Sequence, residues 1–402
     1  MGAARRTIVR STTSTPAFIM NITALDENNK PVDWWFIYKV PQLGGGAGTD
    51  EATGYEYVYY DATIDGNPDP RKRNIDKSPY LLNGGKGALN LTLNSVFKKN
   101  PPASTGWILY NDEMPADVGR KDDGGRGHTK GVIAFDTASK TAYWLLHSWP
   151  KFVDPGATKD PTPKYGQTYL CLSLDLDAAR QIAEQMTLHQ EPQVYSPNLA
   201  NLAKDDPLSV LTQPLTAKPK GETSVIKLKT VGGMDFQVLA KNKEWNDDFW
   251  NDFVGLQLGD DMDCETWIRG PIPPVADSDG IHKTFDIKYI NLGPMGIHWA
   301  WPETHDHAKW GITLHDPWVC VGDINRMISQ RKRGGGTIAF KNQILWQGLS
   351  KSGLLLAPPG HSRTDTIDLL KTSHHPHSEA PPKLKKLIPT GKTPKKRYGK
   401  SF

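Results

Sequence analysis

The chain has 402 residues, of which 37% are hydrophobic, and its formal net charge is +4. This length suits one large core or two ordinary ones, and no apolar run approaches the roughly 18 residues of a membrane-spanning helix. Residues 381–402 hold eight of the 48 basic residues and none of the 44 acidic ones, so the rest of the chain has a net charge of −4. The body is therefore no general polycation, and any nucleic-acid site in it must be a local patch made by folding.

The first 20 residues predict a flexible lead-in. They are basic, but Ser, Thr and Pro interrupt their apolar stretches, so they do not match a signal peptide and the compartment is left open. The chain has three cysteines, Cys171, Cys264 and Cys320. They are too few and too scattered for a disulfide framework or a thiolate zinc site, and we expect them to be small buried hydrophobic side chains.

Residues 21–189 alternate short apolar, aromatic or β-branched runs with Gly, Pro, Asn and Asp, a pattern typical of strands. The runs are VDWWFIYKV, YEYVYY, GWILYND, GVIAFD, YWLLHSW and TYLCLSL. Two stretches, ALNLTLNSVFKK and LDAARQIAEQMTLH, have helical apolar spacing, and Asp175 or Asp177 is placed to cap the second. We predict a first half made of a sheet and helices.

A polar interval over residues 190–222 predicts a linker, within which DPLSVL favours a short helix. Residues 223–356 then predict a second half with helices in WNDDFWNDFVGLQL and KNQILWQGL. Its strand runs are SVIKLKT, FQVLAK, CETWIR, KTFDIKYI, AKWGIT, WVCVGDI and TIAF. Residues 357–402, rich in Pro and Lys, predict a disordered tail. The two halves share one plan, which indicates an internal duplication.

Two His-x-Lys segments are the main candidates for chemistry. His128 and Lys130 are two apart in a strand-like segment and should project from one face, and His307 and Lys309 repeat the spacing 179 residues later. One such segment is weak evidence, but two in corresponding positions are stronger. Metal-free phosphodiester cleavage requires a nucleophile, a proton donor and fixed positive charge around the phosphate. Two histidines and two lysines supply that set.

These residues match the phospholipase D superfamily, whose members join two His-x-Lys motifs across a pseudo-twofold interface. The resemblance narrows to the deoxyribonuclease II family through a series of segments from about residue 21 to about 350: PVDWWFIYKVP, WILYNDEMP, RGHTKGVIAFD, WLLHSWPKF, YGQTYLCLSL, DHAKW, PWVCVGDINR and RGGGTIAF. The resemblance implies an α/β (mixed α+β), phospholipase D-like fold. Two pseudo-symmetric halves, each a mixed sheet flanked by helices, would hold the active site at their junction.

The resemblance also implies an activity: metal-independent hydrolysis of DNA through a phosphohistidine, giving 3′-phosphate and 5′-hydroxyl ends. One histidine would attack phosphorus while the other protonates the leaving 5′ oxygen and then activates water. The sequence leaves open which one attacks, and we predict His128 as the nucleophile and His307 as the acid and base. Lys130 and Lys309 would stabilise the phosphate oxygens. No cofactor, metal or membrane is implied, the partner is DNA, and a homodimer is left open.

Further roles come only from matched positions. His147 and Gln167 match positions that orient phosphate, and Asn325 resembles the superfamily's phosphate-binding asparagine. Asp136 lies close to the superfamily's usual aspartate spacing without matching it, so its catalytic role is in doubt. Most disulfide cysteines of animal members are absent.

Other interpretations stay open at this stage. His147 also fits a core histidine, and Asp306 fits either a contact with the neighbouring motif or solvent. A metal site at His305 and His307 is disfavoured by the adjacent Lys309, and the histidines at 374–377 predict no functional site. We expect four tryptophans to be core residues rather than base-stacking ones: Trp34, Trp35, Trp299 and Trp301. The basic residues 331–333 fit either a DNA backbone contact or a solvated loop.

Two other functions compete with the endonuclease. One is a phospholipase D-like phosphodiesterase that acts on lipid or on a DNA-end adduct. The other is a non-catalytic DNA-binding module whose basic tail supplies affinity.

Overall fold

The computed structural model describes residues 21–357, with gaps at 47–48, 98–99, 116–117, 119–122, 153–163, 215–220 and 270–281. The lead-in predicted for residues 1–20 and nearly all of the tail predicted for 357–402, including the histidines at 374–377, lie outside this range. Two large sheets with few helices make up the described fold, which confirms the predicted mixed α/β class. No helix in these ranges is long and apolar enough to cross a membrane.

The first sheet and its surroundings come from residues 34–210. Its helices are α1 (Ala62–Asp65), α2 (Ala88–Val96), α3 (Leu176–Gln185) and α4 (Pro207–Val210), with a π-helical turn at Met186–Gln190. The strands are β1 (Trp34–Lys39), β2 (Gln42–Gly46), β3 (Thr49–Thr53), β4 (Tyr57–Asp61), β5 (Asp76–Lys77), β6 (Thr105–Tyr110), β7 (Gly131–Asp136), β8 (Thr141–His147), β9 (Gln167–Asp175) and β10 (Val194–Asn198).

Strand order in the first sheet is β10-β6-β7-β8-β9-β1-β4-β5, and each neighbouring pair is antiparallel. β2 and β3 form a separate hairpin. The interval predicted as a linker supplies β10, whose buried Tyr195 lies at the sheet edge. β1 is buried along its whole length because both faces of the sheet are covered, which explains its unbroken apolar run.

The second sheet comes from residues 223–357. Its helices are α5 (Leu256–Leu258) and α6 (Gln343–Ser352), and a π-helical segment spans Phe249–Gly255. The strands are β11 (Thr223–Lys229), β12 (Asp235–Lys241), β13 (Met262–Thr266), β14 (Thr284–Asn291), β15 (Ala300–Pro302), β16 (Lys309–Thr313), β17 (Trp318–Gly322), β18 (Gly335–Lys341) and β19 (Gly353–Ala357).

Strand order in the second sheet is β11-β12-β18-β17-β16-β13-β14-β15, with β19 paired to β14. β13 and β14 run parallel, and the other pairs are antiparallel. The stretch WNDDFWNDFVGLQL was predicted to be a helix and is mostly π-helical, beginning at the Asp248 cap. A π-helical segment widens the turn, and here it places Phe249 and Trp250 in the outer core of this sheet.

One hydrophobic core lies between the two sheets. It takes Trp34, Phe36 and Tyr38 from β1, and Trp310 and Ile312 from β16. The four tryptophans predicted to be core residues are buried, Trp34, Trp299 and Trp301 in this shared core and Trp35 on the outer side of the first sheet. The three cysteines are buried and free, as predicted. The shared core holds the two halves as one packed body.

The central strands of the two sheets correspond in order. β6-β7-β8-β9-β1 in the first sheet matches β13-β16-β17-β18-β12 in the second. β9 leads into α3, capped by the Asp175 side chain at the nitrogen of Ala178, and β18 leads into α6, capped by Asn342 at the nitrogen of Leu345. The His-x-Lys segments adjoin β7 and β16, which occupy the same position in this series.

Candidate active site

The first His-x-Lys segment lies immediately before β7 and is fixed by the second half of the chain. The backbone nitrogen of His128 donates to the carbonyl oxygen of Gly334 over 2.8 Å. On the ring, Nδ1 lies 2.5 Å from the carbonyl oxygen of Asp323. Because a carbonyl only accepts, Nδ1 carries the proton in this contact. The lone pair of the neutral ring is then on Nε2.

A carboxylate that sequence reasoning missed lies beside this ring. Asp112, which follows β6, forms an ion pair with Lys130. One of its oxygens is 3.5 Å from Nε2 of His128 and 3.5 Å from Nη2 of Arg333. Burial would raise the pKa of Asp112, but the charge of Lys130, with a contribution from Arg333, holds it well below its usual range. The group is therefore a permanent anion within a cluster of cations.

The environment of His128 disfavours its protonation. Burial lowers the pKa of the ring well below its usual value, and the charges of Lys130, Lys309 and Arg333 add to the effect, while Asp112 opposes it. His128 is thus neutral over the ordinary pH range. A neutral imidazole with a fixed Nδ1 proton can act as a nucleophile through Nε2.

The second His-x-Lys segment is anchored by a glycine of the first half. The nitrogen of Gly166 donates to the carbonyl of His305 over 2.8 Å, and the nitrogen of His307 donates to the carbonyl of Gly166 over 2.9 Å. A Cβ on Gly166 would lie 2.8 Å from the carboxylate of Asp306, too close for any real side chain. Glycine is therefore required where the two halves meet.

Asp306 fixes the second His-x-Lys segment through hydrogen bonds to its carboxylate. It is fully buried and accepts from the Tyr38 hydroxyl at 2.5 Å, from Nε1 of Trp301 at 2.7 Å and from the nitrogen of Ala308 at 2.7 Å. Burial raises its pKa despite these hydrogen bonds. Of the two interpretations left open by the sequence, contact with the motif is the one the structure supports, and Asp306 is a positioning residue.

Two aromatic rings enclose His307. The ring of Tyr165 stacks on it at 4.0 Å with an interplanar angle of 12°, and the ring of Trp267 lies 3.9 Å away at 48°. Its Nε2 is buried and has no hydrogen-bond partner among the described residues. Burial lowers the pKa of His307 to about 2, with contributions from Lys309 and Lys130. The ring can carry a proton only when a nearby anion stabilises the charge.

Lys309 is buried at the start of β16, and its Nζ donates to the carbonyl of His307 over 2.5 Å. Burial lowers its pKa to about 7, and the charge of Lys130 contributes in the same direction. Lys130 likewise acts on His307, and Lys309 acts on His128. The structure therefore brings the four predicted catalytic side chains into one electrostatic site at the junction of the halves.

The three predicted substrate-binding residues lie in different settings. His147 is buried between Phe152 and Tyr169, its backbone nitrogen donates to the carbonyl of Lys130 over 3.2 Å, and its Nε2 has no partner among the described residues. Gln167 is buried and accepts from the Ser148 hydroxyl at 2.5 Å.

Asn325 is buried two residues after Asp323, and its Oδ1 has no partner in the described part of the chain. It lines a small depression beside Lys241, Asp248 and Gln330. Among the described residues no hydrogen bond joins Asn325 to His128 or His307. The sequence resemblance therefore remains the support for its role.

Asp136 lies at the opposite end of β7 from Lys130, facing Thr141 on β8. Its carboxylate accepts from the nitrogen of Ser139 over 2.7 Å and so stabilises the β7–β8 turn. The doubt about a catalytic role is thus justified by its position. Its near-match in spacing reflects a turn signal.

A metal site at the second motif finds no support in the arrangement of its histidines, since His305 is exposed while the ring of His307 packs against Tyr165 and Trp267. Within the described ranges no group of three His, Cys, Asp or Glu side chains could hold a metal ion.

Comparison with known proteins identifies the family of this chain. The family profile described as Deoxyribonuclease II matches residues 23–355. A Burkholderia pseudomallei chain named as a deoxyribonuclease-2 is 56% identical over 357 residues, which cover 89% of this chain and 99% of the relative. Deoxyribonuclease-2-alpha of Rattus norvegicus is 32% identical over 81% of this chain and 91% of its own length, and Deoxyribonuclease-2 of Caenorhabditis elegans is 32% identical over the same shares. The chain therefore belongs to the deoxyribonuclease II family.

Proposed function

We propose that this chain is an endonuclease that hydrolyses DNA phosphodiester bonds without a metal ion. The observation that carries the proposal is the convergence of two histidines and two lysines in one site, with the histidines in unlike surroundings. The names of its relatives agree with DNA as the substrate. In this proposal the products carry 3′-phosphate and 5′-hydroxyl ends.

In the first step, Nε2 of His128 attacks phosphorus and the bond from phosphorus to the 5′ oxygen breaks. The protonated ring of His307 gives its proton to that oxygen, which leaves as the 5′-hydroxyl. A phosphohistidine on the 3′ side remains. The contact of Nδ1 with the Asp323 carbonyl supports this assignment, because it fixes the tautomer that leaves Nε2 free to attack.

In the second step, the now neutral His307 takes a proton from water, and the hydroxide attacks phosphorus. The bond between phosphorus and Nε2 breaks, its electron pair returns to His128, and a 3′-phosphate is released. His307 ends the cycle protonated, as it began. His128 is thus the nucleophile in the first step and the leaving group in the second, and His307 is the acid in the first step and the base in the second.

The lysines connect DNA binding to proton uptake. Lys130 and Lys309 both lower the pKa of His307 in the DNA-free site. A phosphate between the lysines adds negative charge, which offsets their effect and raises the pKa of His307. The same two ammonium groups then stabilise the equatorial oxygens of the transition state. His147, Gln167 and Asn325 are proposed to orient the substrate.

Plasmid nicking in excess EDTA across pH 4 to 8, with identification of the product ends, tests this function. We expect nicking with 5′-hydroxyl ends. Loss of cleavage with EDTA and its restoration by magnesium would overturn the proposal. Salt-sensitive binding without scission would select the DNA-binding module, and cleavage of a lipid diester or DNA-end adduct but not plasmid would select the other phosphodiesterase. Light scattering of the same sample tests whether a second copy of the chain is a partner.

A further inference from the structure

An exposed arginine lies next to the rings that enclose His307. The guanidinium carbon of Arg269 lies 4.4 Å from the centre of the Trp267 ring, and its Nη2 donates to the Tyr165 hydroxyl over 3.3 Å. The backbone nitrogen of Arg269 contacts the sulfur of Met327 at 3.1 Å. The side chain is therefore held over a platform although it faces solvent.

The charge of Arg269 is not neutralised by a carboxylate of the described residues. Six of the other seven arginines in the described ranges do have such partners: Arg71 pairs with Asp69, Arg126 with Asp123, Arg180 with Asp177 and Asp206, Arg326 with Asp248 and Asp286, Arg331 with Asp247, and Arg333 with Asp112. The seventh, Arg73, donates to the carbonyl oxygen of Asn67. A guanidinium stacked on a ring keeps edge N–H groups for a planar, two-point contact with an oxyanion. Arg269 thus has the chemistry of an anion site.

The position of Arg269 relates it to the reaction. Tyr165 and Trp267, the two residues that hold it, also contact the ring of His307. The charge of Arg269 contributes to the low pKa of His307, so the two groups share one electrostatic environment. The strand on which the scissile phosphate lies carries further phosphates at regular spacing on both sides.

We propose that Arg269, on its Tyr165 and Trp267 platform, binds the phosphate adjacent to the scissile one and so makes the enzyme selective for oligonucleotides over single phosphodiesters. This inference rests on the proposed endonuclease function and adds a second phosphate site to it. Arg269 contributes to substrate selection, whereas the four His-x-Lys side chains carry the chemistry.

The test compares two substrates with identical chemistry. Thymidylyl-(3′→5′)-thymidine contains one diester and no flanking phosphate, and a twelve-residue oligothymidylate contains flanking phosphates. We expect Arg269→Gln to lower the ratio of kcat/KM for the oligomer to that for the dinucleotide by about tenfold, since one phosphate contact is lost. Arg269→Lys should restore part of the ratio because it retains the charge without the planar fork. Arg71→Gln, which removes an equal charge from an exposed arginine, is the matched control and should leave the ratio unchanged.

Equal loss of kcat/KM on both substrates would overturn the inference, because Arg269 would then act on the reaction itself through His307. No change on either substrate would overturn it as well. A direct binding measurement uses oligothymidylate and the His128→Ala protein. The slope of log Kd against log salt should fall by about 0.7 when Arg269→Gln is added. An unchanged slope contradicts the inference whether or not the unsubstituted protein cleaves DNA. If the unsubstituted protein does not cleave DNA but Arg269→Gln lowers the slope, only the endonuclease proposal is contradicted.

Discussion

The two His-x-Lys motifs offer identical groups in opposite surroundings. His128 lies among charged partners, with Asp112 3.5 Å from its Nε2 and a backbone carbonyl on Nδ1. His307 lies against two aromatic rings, with no hydrogen-bond partner for Nε2 in the described residues. The duplicated plan therefore supplies the same reactive groups twice, and the neighbours give each copy its own role.

The two environments differ in their effect on protonation of the imidazole ring. A fixed donor contact at Nδ1 keeps His128 in the tautomer that can attack. The aromatic rings against His307 supply no negative charge, so in the proposed function its protonation depends on the charge of the bound phosphate. Under that proposal, one histidine is ready before DNA binds and the other only afterwards.

Replacing either histidine should have the largest effect. His128→Ala and His307→Ala should each lower kcat on DNA by about 10³- to 10⁶-fold, and the double change should cost little more, since both groups serve one mechanism. A p-nitrophenyl diester separates their roles, because p-nitrophenolate leaves without protonation. Rapid-mixing measurement of p-nitrophenolate should show a burst for His307→Ala and none for His128→Ala.

The inverse pattern would mean that His307 is the nucleophile. His315→Gln, at an exposed histidine paired with Asp260, is the control and should retain full activity. Full activity of a folded His307→Ala protein on DNA would remove the second motif from the mechanism.

Lysine replacements come next in size. Lys130→Met and Lys309→Met should each lower kcat by about 10²- to 10³-fold, because each removes a cation from the transition state. Their effects on stability should differ. Lys130 is the ion-pair partner of buried Asp112, so its loss destabilises the fold by roughly 3 kcal/mol. Single-turnover kinetics and urea unfolding at pH 7 measure both quantities.

Lys309 has the opposite relation to folding. Its pKa falls to about 7 on burial, whereas the unfolded chain binds this proton up to about pH 10.4. Lys309→Met should therefore increase the free energy of unfolding at pH 7. A loss of stability equal to that of Lys130→Met would show that the two lysines stabilise the fold equally, against this prediction.

The rate should depend on pH through His307. Because the pKa of His307 in the DNA-free site is about 2, its protonated fraction falls tenfold per pH unit above that value. His128 stays neutral in this range, so kcat/KM should rise about tenfold for each unit that pH falls from 7 to 5. The descending limb of kcat should lie at higher pH, because bound phosphate raises the pKa of His307. A kcat/KM that does not change between pH 7 and pH 5 would rule out His307 as the acid.

Stability should depend on pH in the opposite direction. His128, His147 and His307 all have lowered pKa values in the folded protein. Below the unfolded value of about 6.5 the unfolded chain binds protons that the native protein does not, so stability is fully present above that pH and is lost as pH falls. Each histidine contributes up to about 1.4 kcal/mol per pH unit. Urea unfolding at pH 7 and pH 5 measures the loss.

His315 provides a control of opposite sign for that measurement. Its hydrogen bond to Asp260 raises its pKa, so it stabilises the fold as pH falls. His315→Gln should steepen the loss of stability, and His147→Asn should reduce it. The reverse order would contradict the assigned protonation states.

The sequence was sufficient for the long central strands and for the two His-x-Lys segments, because apolar runs and a repeated spacing are local signals. Of the elements present, the weakly patterned strands β2, β3, β5, β10, β15 and β19 were not predicted. Their edge positions or short lengths leave little periodicity to detect. The helix predicted over WNDDFWNDFVGLQL is a π-helical segment, since its side chains fit a wider turn that only packing selects.

The site was predictable only in part. The two His-x-Lys pairs were visible as repeats, whereas Asp112, Tyr165 and Trp267 reach the site from separate strands and loops. Asp112 was present in the segment WILYNDEMP that supported the family resemblance, yet nothing local distinguishes its carboxylate from Glu113 beside it. Contacts between residues far apart in the chain leave no spacing signal.

The contact between His128 and Asp323 spans 195 residues. A ribosome has released nearly the whole body of the protein before this hydrogen bond can form, and contacts of such sequence separation form late in folding. In the proposed function the catalytic centre is therefore incomplete until both halves of the chain have been synthesised and packed together. Appearance of nuclease activity during refolding would then report the packing of the two sheets against each other.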